Sequence, residues 1–248
     1  MTQYRSAPGR AERIAQGILL LLLLAAPALF VFHQQCVNDP DVWWHLRTGE
    51  WIVHHHTVPI VDPFSNLDKA AWMAYSWAFE LPLYLMYRHW GLVGILIYTS
   101  TMVVLITAAI YRFLQRLQPD FTKAVLLTLA ATVGIGRLYT PRPWLVTVLF
   151  FVLEIDILFA NYREDQPRLN RRRLLWLPVI FAVWANVHIQ FIDGLIVLLL
   201  GVIGPVLRGL LANVSPSSPP AGNWIRQTKE RLAVFAMCVF ATLLNPYG

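Results

Sequence analysis

The run Ile14–Phe32, IAQGILLLLLLAAPALFVF, holds nineteen positions with Gln16 as its one strongly polar side chain. A helix of about 20 such residues spans the roughly 30 Å hydrocarbon core of a bilayer with every backbone amide satisfied internally. Arg5, Arg10 and Arg13 precede it, a basic flank of the kind retained on the cytoplasmic side. A cleaved signal peptide is the alternative, since Ala26-Pro27-Ala28 loosely imitates a cleavage site. Signal cores run about 7–15 residues, and several further apolar segments follow, so a signal anchor is expected. Composition agrees, with 57% hydrophobic and 14% charged residues over 248 positions. Cys36 and Cys238 stand far apart in the chain and imply no disulfide framework.

Further apolar segments at about 91–111, 124–140, 143–161, 174–188, 191–210 and 232–244 predict an all-α integral membrane protein of about seven transmembrane helices. Residues 71–90, AWMAYSWAFELPLYLMYRHW, are ambiguous and set the direction of every later loop. If they lie along the outer surface, the tail and the loops at 112–123, 162–173 and 208–231 face the cytoplasm with fifteen of the twenty Lys and Arg. If they span, the cytoplasmic side keeps six. The positive-inside rule selects the first topology, with residues 1–13 cytoplasmic, 14–32 the first span, 33–90 an outer loop with interfacial helices, and 91–248 the bundle. The net charge of +6 therefore belongs to membrane orientation and not to nucleic acid. Residues 212–224, rich in Ser and Pro, read as a linker. Glu154 and Asp156 lie near the basic loop, and both are expected to reach the cytoplasmic interface.

This topology gathers the polar residues on one face. Asp39-Pro40 has the form of a helix start, with the aspartate capping free amides. Asp41 then shares a helix face with Trp44 and His45, a carboxylate beside an imidazole that can take a proton from a hydroxyl or help hold a metal ion. A plain surface pair near the helix dipole explains the same spacing. Six of the ten tryptophans lie between residues 33 and 90. A headgroup-level aromatic belt accounts for them, while Trp43, Trp44 and Trp51 are also candidate platforms for a sugar ring. His54-His55-His56 reads as a solvated helix end, because adjacent helical residues point apart and cannot close a coordination sphere. Arg142, between two prolines, suits a phosphate or a lipid headgroup. His188 and Asn186 end a span on the same side.

The run DPDVWWHLRTGEWIVHHHTVPIVDPFS, followed by WMAYSWAFELPLY, RP and NVH, resembles bacterial polytopic membrane proteins related to the C-type (GT-C) glycosyltransferases. That superfamily includes protein O-mannosyltransferases, the aminoarabinose transferase that modifies lipid A, and oligosaccharyltransferase catalytic subunits. The resemblance covers the N-terminal portion of longer relatives. It implies an essential acid in the first outer loop, matched best by Asp41 with Asp39 as fallback. It also implies a polyprenyl-phosphate-linked sugar donor, transfer on the outer face of the inner membrane, and residues 71–90 with Glu80 as an interfacial helix. The familiar Asp-Glu pair is absent, since Val42 follows Asp41, and His56 stands where the relatives usually carry Gly. Under this reading Asp41, Asp39 and His45 are catalytic, while Arg142, His188, Trp43, Trp44 and Glu80 bind substrate. A divalent metal is left open as a cofactor, and membrane lipids are partners. The rival expectations are a non-catalytic subunit that binds a lipid-linked glycan or scaffolds envelope assembly, and a transporter using Glu154 or Asp156.

Overall fold

The structure is a computed structural model and describes residues 9–34, 39–66, 71–162, 171–212 and 224–247. Its helices are α1 (Arg10–Gln34), α2 (Asp41–His55), α3 (Trp77–Trp90), α4 (Leu92–Leu117), α5 (Phe121–Gly134), α6 (Trp144–Tyr162), α7 (Arg171–Leu174), α8 (Trp176–Val187), α9 (Phe191–Ala212) and α10 (Trp224–Thr242). The described residues contain no strand beyond an isolated antiparallel bridge between Val61 and Ala71. Cys36 and most of the 212–224 linker lie outside the described residues, and Cys238 is buried in α10.

Four helices are long and apolar enough to cross a membrane: Arg10–His33, Leu92–Leu117, Trp144–Tyr162 and Phe191–Leu210. Seven such segments were expected, and the other three fall short for separate reasons. α5 has 14 residues and α8 has 12. Pro178 sits in the first turn of α8, where a missing amide is tolerated, and Leu175 breaks the helix from α7 just before it. α10 carries Arg226, Lys229, Glu230 and Arg231 through its first half. The long helices show leucine-rich outer faces, as in α1, where Leu21, Leu22, Leu29 and Phe30 are exposed while Leu23 and Val31 are buried. Such continuous apolar surface is what lipid covers.

Two buried clusters hold the bundle together. One joins Val31 of α1, Val42 and Leu46 of α2, Phe79 and Leu83 of α3, Ile95, Val103 and Ile106 of α4, and Leu145 of α6. The other joins Ile157 and Leu158 of α6 to Phe181 and Trp184 of α8, Leu198 of α9, and Val234 and Cys238 of α10. Glu154 and Asp156 were both expected at the cytoplasmic interface; Asp156 is 2% exposed and meets Arg112 at 2.6 Å and Arg116 at 2.8 Å, the basic end of α4. Glu154 departs from that expectation. Two residues earlier on α6, its side chain turns inward, is fully buried, and packs at the glycine face of α9 with no hydrogen-bond partner for either oxygen.

The short helices α2 and α3 pack against each other beside α4, and glycine makes that contact close. A Cβ on Gly49 would lie 2.4 Å from the Glu80 carbonyl oxygen and 2.6 Å from the Tyr84 Cβ. Past its last turn α2 stops on His56, whose φ of 52° is left-handed and whose amide bonds the Ile52 carbonyl oxygen. That conformation favours glycine, and here a histidine adopts it. All three histidines of the run are exposed at this helix end. Because the contact at Gly49 involves backbone, Gly49→Ala must push α2 from α3. The expected loss is about 1–3 kcal/mol of stability, read by thermal unfolding in detergent.

Candidate functional site

The start of α2 is fastened to the loop before α6 by one arginine. Pro40 has helical dihedrals and opens the helix, while the Asp39 carboxylate accepts the Asp41 amide at 3.1 Å. Asp39 thus does cap-like work as expected, with the helix itself beginning at Asp41. Its larger task is with Arg142. The guanidinium donates from Nε to Asp39 Oδ2 at 2.5 Å and from Nη2 to Oδ1 at 2.6 Å, and its Nη1 rests on Asp41 Oδ2. The Arg142 hydrogen bond holds the Asp39 carboxyl below its ordinary value of 3.8, against the opposing effect of burial. Pro141 and Pro143 flank Arg142, its own amide bonds the Thr140 carbonyl oxygen at 2.7 Å, and its charge lies 5.0 Å from the centre of the Trp144 ring. The cation expected to meet a phosphate is therefore shared between two carboxylates.

The expected Asp41–His45 pair is replaced by two separate pairs. While Asp41 turns to Arg142, His45 Nδ1 lies 3.0 Å from Glu80 Oε1 of α3. Helical spacing put Asp41 and His45 on one face correctly, yet a residue 35 positions on supplied the nearer carboxylate. Burial raises the Glu80 carboxyl above its ordinary 4.5, and the His45 contact partly opposes this.

Asp41, His45 and Glu80 nevertheless line a single cavity of about 750 Å³, between α2, the chain at 62–66 and the chain at 72–76. Trp44, Phe64, Trp72 and Tyr75 form its aromatic wall, with Trp44 and Trp72 each edge-on to Phe64 at 6.0 Å. Asp41 is half exposed at its edge, at 49% of its side chain. Of the two adjacent tryptophans only Trp44 lines the cavity; Trp43 is exposed outside it. Trp51 stacks on His55 at 4.1 Å. His188 follows α8 and pairs with the Thr147 hydroxyl at 2.9 Å, which also accepts the Trp184 indole N–H at 2.9 Å. This places His188 behind the cavity and not in its lining. Among the described residues no group of three or more His, Cys, Asp or Glu side chains is arranged to hold a metal ion.

Trp77 and Tyr247, to which sequence reasoning gave no role, and Asn186, which it placed on the same side, help build the site. The Trp77 indole N–H donates to the Asn186 side-chain oxygen at 2.8 Å, and the Asn186 amide nitrogen donates to the Leu244 carbonyl oxygen at 2.8 Å. Tyr247 accepts the Ala74 amide at 2.7 Å and donates to the Pro59 carbonyl oxygen at 3.3 Å, so the segment after α10 holds both sides of the 59–74 chain. Segments 39–90, 137–147, 186–188 and 244–247 thus converge at one end of the bundle, the grouping that charge counting anticipated. That counting supplied only the grouping. The pairing Tyr247 to Ala74 spans 173 positions and has no local sequence signature.

Two measurements follow. Asp39 has a folded-state value below 3.8, so its pairing stabilises the fold above that pH and is lost as pH falls through the folded value. Glu80, raised above 4.5, acts in the opposite sense: its contribution is present at low pH and lost as pH rises through its folded value. Asp39→Asn is expected to melt lower than the parent at neutral pH and to approach it on acidification below 3.8. Tyr247→Phe removes the bonds to Pro59 and Ala74, with an expected loss of about 1 kcal/mol and faster hydrogen exchange at the Ala74 amide. No protein-family model, curated protein or solved structure matches this chain, so the meaning of the site rests on its own chemistry.

Proposed function

We propose that this chain is a membrane glycosyltransferase of the GT-C kind, moving a sugar from a polyprenyl-phosphate-type donor to an acceptor hydroxyl on the outer face of a bacterial inner membrane. The observation that carries the reading is Asp41, a half-exposed carboxylate at the edge of an aromatic-walled cavity. In this reading the N-terminus is cytoplasmic, α5, α8 and α10 complete seven crossings with the four long helices, and α2 and α3 lie at the outer surface. Fifteen of the twenty Lys and Arg then sit on the cytoplasmic side, as the positive-inside rule requires.

The acceptor hydroxyl sits against Asp41, which takes its proton as the oxygen attacks the anomeric carbon. The bond from that carbon to the carrier's phosphate oxygen breaks, and the lipid phosphate leaves with the bonding electrons. Arg142 aims Asp41 through Nη1, while Asp39 takes Nε and Nη2 and fixes the guanidinium. With two carboxylates on one guanidinium, the local charge disfavours gripping a phosphate. Aromatic side chains on one wall offer flat apolar faces for the C–H faces of a sugar ring.

The same ion pair supports a second reading, a subunit that binds a lipid-linked glycan without catalysis, in which Arg142 merely latches α2 to α6. One experiment separates the two. In proteoliposomes supplied with a polyprenyl-phosphate sugar donor, Asp41→Asn is expected to lower transfer about 10²–10⁴-fold, the range for loss of a general base. Transfer retained at the parent rate ends the catalytic assignment; retained donor binding with no transfer by either protein leaves the binding subunit.

A further inference from the structure

The inner wall of the cavity holds polar groups that the fold leaves unused. Ser76 is 3% exposed and its hydroxyl has no partner. Glu80 is 6% exposed; its Oε1 meets His45, but its Oε2 has no partner. The Trp72 indole N–H is likewise buried without an acceptor. All three residues line the same cavity. Buried polar atoms are satisfied in nearly all proteins, and three orphans on one cavity wall mark a place where a ligand supplies the partners.

The charges around them define which ligand. Among the described residues, Asp41, Asp62 and Glu80 contribute three carboxylates to the lining, against His45 and no lysine or arginine. Asp62 is turned to the Phe64 amide at 2.8 Å and the Ser65 amide at 3.3 Å. The nearest arginine in the site, Arg142, is already bound by Asp39 and Asp41. A phosphate in this space would face carboxylates with no free cation among the described lining residues, whereas an ammonium group would find carboxylates and the faces of Trp44, Trp72 and Tyr75. The orphans also demand both senses of hydrogen bond: Glu80 Oε2 needs a donor, the Trp72 N–H needs an acceptor, and the Ser76 hydroxyl takes either role.

We propose that the wall formed by Trp72, Ser76 and Glu80 is a subsite for an acceptor carrying an ammonium group beside hydroxyls, an amino sugar or amino alcohol, with the donor's phosphate held outside the cavity. The ammonium donates to Glu80 Oε2 and Ser76 Oγ, and a neighbouring hydroxyl or ring oxygen accepts from Trp72 Nε1. This rests on the reading of the cavity as the acceptor site, because Asp41 stands at its edge.

The test is ligand-observed NMR on the full chain in nanodiscs, without any donor. Glucosamine is compared with N-acetylglucosamine, which keeps the ring and loses the charge, with glucose 1-phosphate, and with ethanolamine, which keeps the amine and represents a lipid headgroup as its source. Glucosamine is expected to bind about tenfold or more tighter than N-acetylglucosamine, with glucose 1-phosphate weakest. Ethanolamine binding as tightly as glucosamine would assign the subsite to a headgroup amine; weaker binding assigns it to an amino sugar. Glu80→Gln should erase the preference for the charged ring. Ser76→Ala, which leaves the His45–Glu80 pair in place, should weaken glucosamine several-fold while N-acetylglucosamine binding reports an intact cavity. Equal or tighter binding of the N-acetyl or phosphate ligand, no glucosamine binding, or a preference unchanged in Glu80→Gln each overturns the subsite. Since no transfer is measured, loss of the catalytic reading leaves this result standing, and loss of the preference leaves the catalytic assay untouched.

Discussion

Arg142 and its two aspartates are the fastening on which the polar end of this molecule depends. α2 and α3 have no long apolar stretch to anchor them, and residues 56–66 after α2 form neither helix nor sheet beyond the bridge at Val61. The bidentate grip on Asp39 fixes the first turn of α2 to the loop that starts α6, a helix committed to the bundle. Asp39 is nine-tenths buried, so a carboxylate left there without the guanidinium would cost about 3–5 kcal/mol. Two prolines hold Arg142 in place before any partner arrives, which lowers the entropy lost on pairing.

From that fastening the rest of the site follows by neighbour contacts. α2, once fixed, presents Gly49 to α3, and the close approach carries His45 to Glu80. α3 is tied through Trp77 to Asn186 of α8, and the loop between α2 and α3 is tied through Tyr247 to the segment after α10. A cavity assembled from one short hairpin of helices is thereby braced by three other elements. Its contents are unbalanced in charge and in hydrogen bonding, with carboxylates in excess and donors and acceptors left open on one wall. A fold optimised for stability alone would satisfy those atoms, and their place on residues that line a cavity is the physical reason for the ligand proposed there.

Glu154 stands apart from this system. It is fully buried on α6 with both oxygens unpartnered, while Asp156, one helical step away, meets two arginines. Distance along the chain from the basic loop was the same argument for both residues, and it does not distinguish the paired one from the unpaired one. On a helix, two residues turn the side chain by about 200°, so neighbours at similar depth face different surroundings.

The sequence by itself determined the all-helical class, the apolar segments that include the four helices long enough to cross a membrane, the exposed end of α2 at its histidines, and the gathering of polar segments at one end of the bundle. These depend on local composition, helical period and the asymmetry of Lys and Arg, all of which are written along the chain. It also put Asp41 and His45 on one helix face, because four residues make about one turn. Only the tertiary structure decided which partners those residues take: Arg142 for Asp41, Glu80 for His45, Tyr247 for Ala74. Those contacts join positions 35 to 173 apart, and they exist because packed helices bring together residues that no local pattern relates.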